Sequence, residues 1–351
     1  EEQMEALFGH CCDPRDGAQL GRRMASYRSV EERVADRLQG LDHPASEEER
    51  ATMRDQEVAK GTAQAVSGFD LTFSAPKSIS VLFALGGPEM RETIRSCHQA
   101  AWREAYGYFE SEVAATRLGA GGVAQVDVQG VTAAAFEHWY SRAGDPQLHT
   151  HVATSVMVQT EDGRWRRLDS RALYRAAASA GELYTAKLMS EAAERLGLSW
   201  RHRASGRSQT LLPEVAGVGN GLIAAFSARS ASINDSLATL VASYTERHGY
   251  APSRDVLARL AQQATLSDRP AGAHRVLSDS LAAWAAQAGQ VLGCRADEVA
   301  ARIAHDVGQR RVREHGVPQD PNRSGPLREL RAANLSRQAQ STLFRLEATG
   351  A

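Results

Sequence analysis

Three histidines in the stretch FEHWYSRAGDPQLHTHVATSVMVQ (136–159) constrain the fold more than any other feature of the 351-residue chain. His149 and His151 are two residues apart, so on an extended strand both imidazoles leave from one face. His138 lies on the preceding apolar run, and Gly144, Asp145 and Pro146 between the two runs are turn residues. The segment therefore reads as two antiparallel strands. If the register sets His138 opposite His149 or His151, all three rings share a face; a slip of one residue sends His138 to the other side. Three neutral imidazoles on one divalent ion leave positions open for substrate, the pattern of a catalytic rather than a closed structural site.

The rest of the chain supplies a scaffold for such a hairpin. Apolar residues make up 42% and charged residues 24% of the sequence, as in a globular protein. No apolar run approaches the ~18 residues that span a bilayer, which speaks against membrane insertion. The formal charge of -1 excludes a global basic field, so a nucleic-acid partner would need a local arginine-lined groove. Cys11, Cys12, Cys97 and Cys294 form no C-x-x-C pair, which suits a reducing, cytosolic setting. Helical patterns cover 29–41, 47–60, 77–85, 91–113 and 170–196, with Ser74 as the expected N-cap of the third. Strand patterns cover 68–73, 123–129 and 131–140, run through the His149–His151 pair to 159 and return over 164–169, and a strand pair is expected within 198–211. From Pro213 the pattern turns helical, and 317–327, rich in Pro, Asn, Asp and Gly, reads as a linker. The expected fold class is α+β, a five-stranded-type antiparallel sheet with helices packed on one face, then a mostly helical C-terminal part.

Asp70 lies on a predicted strand of its own among Phe69, Leu71 and Phe73. A carboxylate there needs a partner. A metal-ligating imidazole is a natural one, since its second N–H commonly donates to a carboxylate that sets the tautomer.

Together, GFDLTFSAPKSIS (68–80) and HWYSRAGDPQLHTH (138–151) resemble the conjugative relaxases of the TrwC/TraI type, the MobF group of the HUH endonucleases. The likeness covers about residues 15–285. Thr150, between the paired histidines, is less hydrophobic than that position of the pattern. The resemblance implies an HUH/RRM-like palm and a site- and strand-specific transesterase that nicks and rejoins single-stranded DNA at a plasmid transfer origin during conjugation. It implies one divalent metal ion (Mg, Mn or Zn) on His138, His149 and His151, with Asp70 orienting a histidine or assisting the nucleophile. Single-stranded and hairpin DNA of the transfer origin, other relaxosome and conjugation proteins, and a bacterial cytoplasmic location follow from the same likeness. So does a division into a catalytic core (1–212), a helical part of the relaxase domain (213–290) and a helical extension and linker (291–351) leading towards a helicase. No G-x-x-x-x-G-K-[ST] occurs in the chain itself.

In that family the tyrosine that forms the 5′-phosphotyrosine link lies near the N-terminus. The chain begins at Glu1 and reads as a fragment whose nucleophile lies upstream, so that it does not nick. Tyr27 falls at a non-nucleophilic place, and Tyr140, two residues from His138, is the substitute within the chain. Lys77 in the first turn of a helix, Arg142 in the loop between the histidine strands, and Arg164, Trp165, Arg166 and Arg167 on a hairpin are candidate DNA contacts. The remaining histidines, His98 among them, are assigned to the surface or to local hydrogen bonds. Two other classes compete: a non-catalytic module that binds single-stranded or hairpin DNA around the same metal site, and a tris-histidine hydrolase or oxygenase for small molecules.

Overall fold

The computed structural model describes residues 2–22, 28–60, 65–204, 211–267, 275–315 and 342–347. A short helix α1 (Glu2–Met4) runs into a π-turn (Glu5–Gly9), followed by α2 (Val30–Gln39) and α3 (Glu47–Ala59). Both longer helices start with a capping box, Ser29 with Glu32 and Ser46 with Glu49, which satisfies two otherwise orphaned N–H groups at each end. They are tied together by buried Glu57, which meets Arg33, Arg37 and Lys60 at 3.1, 3.0 and 2.6 Å.

Strand β1 (Val66–Ser74) leads into α4 (Lys77–Leu85) and α5 (Pro88–Tyr108). The N-cap of α4 is Pro76, not Ser74, which ends the strand. The Ser78 N–H instead donates to Glu214 Oε2 at 2.8 Å, from the far side of the sequence. A two-stranded ribbon follows, β2 (Ala115–Leu118) with β3 (Ala124–Asp127); β2 carries no alternating pattern of its own and was not expected. Then come β4 (Val131–Tyr140), β5 (Pro146–Gln159), β6 (Trp165–Arg167) and the long helix α6 (Ser170–Leu196), closed by Gly197 at φ 62°. The later strand pair is β7 (Trp200–Ala204) with β8 (Leu211–Val215), so strand structure runs past Pro213 and the helical pattern begins at α7 (Asn220–Ala225). Helices α8 (Ala228–His248), α9 (Arg254–Ser267), α10 (Leu277–Leu292) and α11 (Val299–His315) complete that part.

The main sheet has five strands in the order β4-β5-β1-β9, with β6 paired to the far end of β5. The outermost strand, β9 (Thr342–Glu347), corrects the reading of 291–351 as helix and linker. It pairs with an edge of β1 whose N–H and C=O groups would otherwise lie open. Tyr27 and 317–327 lie outside the described residues.

One face of the sheet carries Phe69, Leu71, Phe73, Val152 and Val156, all buried against the helices. Phe73 packs on Tyr184 of α6, and Tyr106 of α5 reaches Thr154 at 3.0 Å. The opposite face is covered only in part. The first half of β5 alternates between buried and half-exposed positions, whereas Val152 to Val158 are buried on both sides. There the N-terminal segment lies on the sheet through Leu7, Phe8 and Leu20. Among the described residues, no helix is long and apolar enough to cross a membrane.

Candidate metal centre

The register of β4 against β5 decides the site. His138 stands directly opposite His149, and Phe136 opposite His151, so all three histidines project from one face of the sheet. Their ring centroids lie 5.0–5.3 Å apart. One ligand atom from each falls within 4.8 Å of the others, the single such cluster of three or more candidate ligands among the described residues. At about 2.1 Å per metal–nitrogen bond, three donors on one ion sit about 3.4–3.6 Å apart, so the rings need to draw in by about an ångström.

The turn between the strands holds this register. The Ser141 N–H donates to Asp145 O and the Gly144 N–H to Ser141 O, both at 2.8 Å. Gly144 takes φ 90°, a conformation open to glycine.

Two of the rings have their second nitrogen occupied. His149 Nδ1 lies 2.8 Å from the carbonyl of Gln147, and His151 Nδ1 lies 2.6 Å from Asp70 Oδ2 and 3.0 Å from Thr72 Oγ1. An N–H donated at Nδ1 leaves Nε2 unprotonated, the form that binds a metal. Burial pushes His149 down to about 4, and it lowers His138 too, with His151 adding repulsion, so both rings are neutral at neutral pH. Asp70 Oδ1 is buried with no hydrogen-bond partner, an uncompensated negative oxygen behind His151. Three imidazole nitrogen donors backed by one carboxylate suit a divalent cation.

The other candidates are dispersed. Lys77 does not face solvent: its Nζ donates to Pro146 O at 2.9 Å, and burial lowers its pKa to about 8, so it pins the start of β5. Arg142 is exposed on the turn beside the histidines. Arg164, Trp165, Arg166 and Arg167 sit at the opposite end of β5, where Trp165 pairs with Gln159. Ten residue steps at about 3.3 Å separate that point from His149, about 33 Å. Arg164 pairs with Asp162, Trp165 packs on the core, and Arg167 reaches Val66 O. A β-bulge between His138 and Tyr140 breaks the alternation that would have put both on one face, and the Tyr140 hydroxyl accepts from the Arg275 N–H at 3.3 Å.

Sequence reasoning missed the residues that hold the site from behind. His98 is wholly buried rather than on the surface, between Thr150 Oγ1 and the Tyr184 hydroxyl, each at 2.8 Å. Trp284 Nε1 donates to Gly144 O at 2.8 Å from α10. The one local signal for His98 was its place on the apolar stripe of α5, and a stripe does not reveal what the residue meets.

The TrwC relaxase family model matches residues 1–291. The multifunctional conjugation protein TraI of Escherichia coli is 39% identical over 104 residues, which is 29% of this chain and 6% of that protein. The matched stretch is thus a small part of its relative's length. A solved structure of the conjugative relaxase TrwC in complex with OriT DNA, metal-free, is 25% identical with a TM-score of 0.52, covering 75% of this chain and 89% of that one. A metal-bound structure of the same relaxase with OriT DNA is 24% identical with a TM-score of 0.55, covering 83% and 82% of the two chains.

Proposed function

The chain belongs to the TrwC relaxase family, and on that premise we propose that it is the metal-binding, DNA-holding core of an enzyme that nicks and rejoins one strand at a plasmid transfer origin. The observation that carries this reading is the pairing of His138 with His149, which gathers three imidazoles on one open face with Asp70 behind His151. A divalent cation held by His138, His149 and His151 (Mg, Mn or Zn) would polarise a phosphate oxygen and stabilise the charge that builds up in the transition state.

The chain's own residues do the rest. The carbonyl of Gln147 and the Asp70 carboxylate fix two tautomers. Burial keeps His138 and His149 neutral, and the uncovered half of the face admits a single strand of DNA. In this reading a tyrosine attacks the scissile phosphorus and displaces the 3′-oxygen, forming a 5′-phosphotyrosine that the freed 3′-hydroxyl can later reverse. That tyrosine is a different one from Tyr106, Tyr140 and Tyr184. The hydroxyl of Tyr140 is engaged by the backbone of Arg275, and burial pushes the other two phenols well above their usual range.

The main sheet, its edge strand β9 included, then forms the catalytic core with α4 to α6, and the helices from α7 (Asn220–Ala225) onward form a part that packs onto it. OriT-type hairpin DNA and other conjugation proteins are the partners, in a bacterial cytoplasm. The test is incubation with an oligonucleotide spanning the transfer origin and Mn ions. We expect binding without a covalent product. A protein–DNA adduct on a denaturing gel would place a nucleophile inside the chain, and failure to bind single-stranded or hairpin DNA would remove the nucleic-acid reading.

A further inference from the structure

Thr150 sits between two of the three histidines yet points the other way, into the layer between sheet and helices, where it is 1% exposed. A hydroxyl in such a layer is unfavourable without a partner, and a valine would fill the same space without needing one. The partner is His98 of α5, itself 0% exposed, with Nε2 2.8 Å from Thr150 Oγ1. The other nitrogen of His98 meets the hydroxyl of Tyr184 on α6 at 2.8 Å, and Tyr184 is also wholly buried. Burial drives the His98 pKa down to about 3, so the ring is neutral, donating at one nitrogen and accepting at the other. A continuous chain of polar contacts therefore runs from α6 through α5 to the residue separating His149 from His151.

We infer that His98 is a positioning residue for the metal centre: with Tyr184, and acting through Thr150, it anchors the strand between two ligands to the helices behind the sheet and so sets the direction in which His149 and His151 project. The side chains at the neighbouring positions of β5 facing the same layer, Leu148 and Val152, are apolar and give only non-directional packing, although the backbone N–H of Leu148 donates to Ser80 Oγ of α4. A hydrogen bond fixes both distance and angle, so Thr150 is the point at which the twist of the ligand-bearing segment is specified. The departure of Thr150 from the hydrophobic pattern of its motif then has a physical reason.

The inference rests on the reading of the three histidines as metal ligands, and a Co2+ titration of the full chain, followed by visible absorption, tests the two separately. No Co2+ binding by the unsubstituted protein would remove the metal reading itself. Given binding, Thr150→Val should weaken it by about tenfold and alter the absorption band, the scale seen when an outer hydrogen bond to a metal site is lost. Thr150→Ser, which keeps the hydroxyl, should restore both. Tyr184→Phe removes only the remote hydroxyl and should shift the band in the same direction; it decides the matter should Thr150→Val not fold. Leu188→Ala, a cavity on α6, should lower the melting temperature and leave Co2+ binding intact. Unchanged affinity and spectrum in both Thr150→Val and Tyr184→Phe would overturn the inference, as would an equal loss in Leu188→Ala.

Discussion

Asp70 is a carboxylate on a strand whose neighbours are nearly all buried, and only one of its oxygens has a partner. A buried acceptor without a donor costs about 1–3 kcal/mol, comparable to what the His151 hydrogen bond returns. Asp70 is therefore better explained by the metal centre than by the fold. Asp70→Ala should change the melting temperature by only a few degrees while weakening divalent-metal binding about 10- to 100-fold, as isothermal titration with Co2+ would measure. A large stability loss with unchanged affinity would make Asp70 a structural residue. His98 has a different signature, because its proton balance changes on unfolding. Folded, it titrates at about 3; unfolded, near 6.5. Between those values the unfolded chain holds a proton that the native one lacks, so stability falls as pH drops through this window and is flat above it. The slope from this ring approaches about 1.4 kcal/mol per pH unit. His149, held at about 4 by burial, adds a slope of the same sign in the metal-free protein. Urea midpoints measured from pH 7.5 to 5 should therefore decline less steeply in His98→Gln, which keeps His149, than in the parent. Equal slopes would mean that His98 is protonated in the native state.

The element on which the centre depends is the turn joining β4 to β5, and four hydrogen bonds from three helices hold it or the start of β5. Lys77 of α4 donates to Pro146 O, Ser80 Oγ accepts from the Leu148 N–H, the Arg229 N–H at the start of α8 reaches Asp145 Oδ2, and Trp284 of α10 donates to Gly144 O. Gly144 is the least replaceable residue here. Its φ of 90° suits glycine, and a Cβ would come within 2.9 Å of the Arg275 guanidinium. Gly144→Ala should cost about 1–2 kcal/mol from the backbone alone. It should also weaken Co2+ binding, because the turn sets His138 against His149. Trp284→Phe loses the donor and also half of a buried bicyclic ring, so about 2–3 kcal/mol is expected from the lost hydrogen bond and the space left behind. Thermal melts and Co2+ titrations of both variants check this, and undiminished metal binding in Gly144→Ala would show that the register survives without the turn. The hairpin itself was legible in the sequence. Alternation put His149 and His151 on one face, and Gly144-Asp145-Pro146 marked the reversal, leaving only the register open. Its clamps were not legible, because nothing local records them. Trp284 is 140 positions from Gly144, and the Glu214 that satisfies the Ser78 N–H is 136 positions away. The Ser74 cap expectation failed for the same reason: a distant carboxylate took over the role that a neighbouring hydroxyl would have filled.

Across the whole molecule, the histidine face is divided between a covered half and an open half, and the division is made by the N-terminal segment. Leu7, Phe8 and Leu20 lie over the far end of β5 and β1, while the end bearing His149 and His151 keeps its alternating exposure. Nothing in residues 1–22 announced this, since their polar composition conceals three apolar side chains that meet the sheet. Gly68 permits the contact. A Cβ there would stand 2.5 Å from the Thr154 carbonyl oxygen and 2.7 Å from Phe8 Cε1. The ring could swing away, but the carbonyl belongs to the paired strand and cannot. Gly68→Ala should therefore displace both the segment and the local pairing, at about 1–3 kcal/mol by the usual scale of overpacking. Gly68 pairs with Ser155, four steps from His151, a separation of about 13 Å. Metal binding should thus be nearly unaffected while amide exchange speeds up in residues 2–22 and the middle of β1 and β5. Exchange in the α8–α9 pair, remote from this contact, serves as the internal reference. Should Gly68→Ala abolish Co2+ binding with exchange in 2–22 unchanged, the covered and open halves would be one cooperative unit, and the N-terminal segment would have to be counted as part of the metal centre.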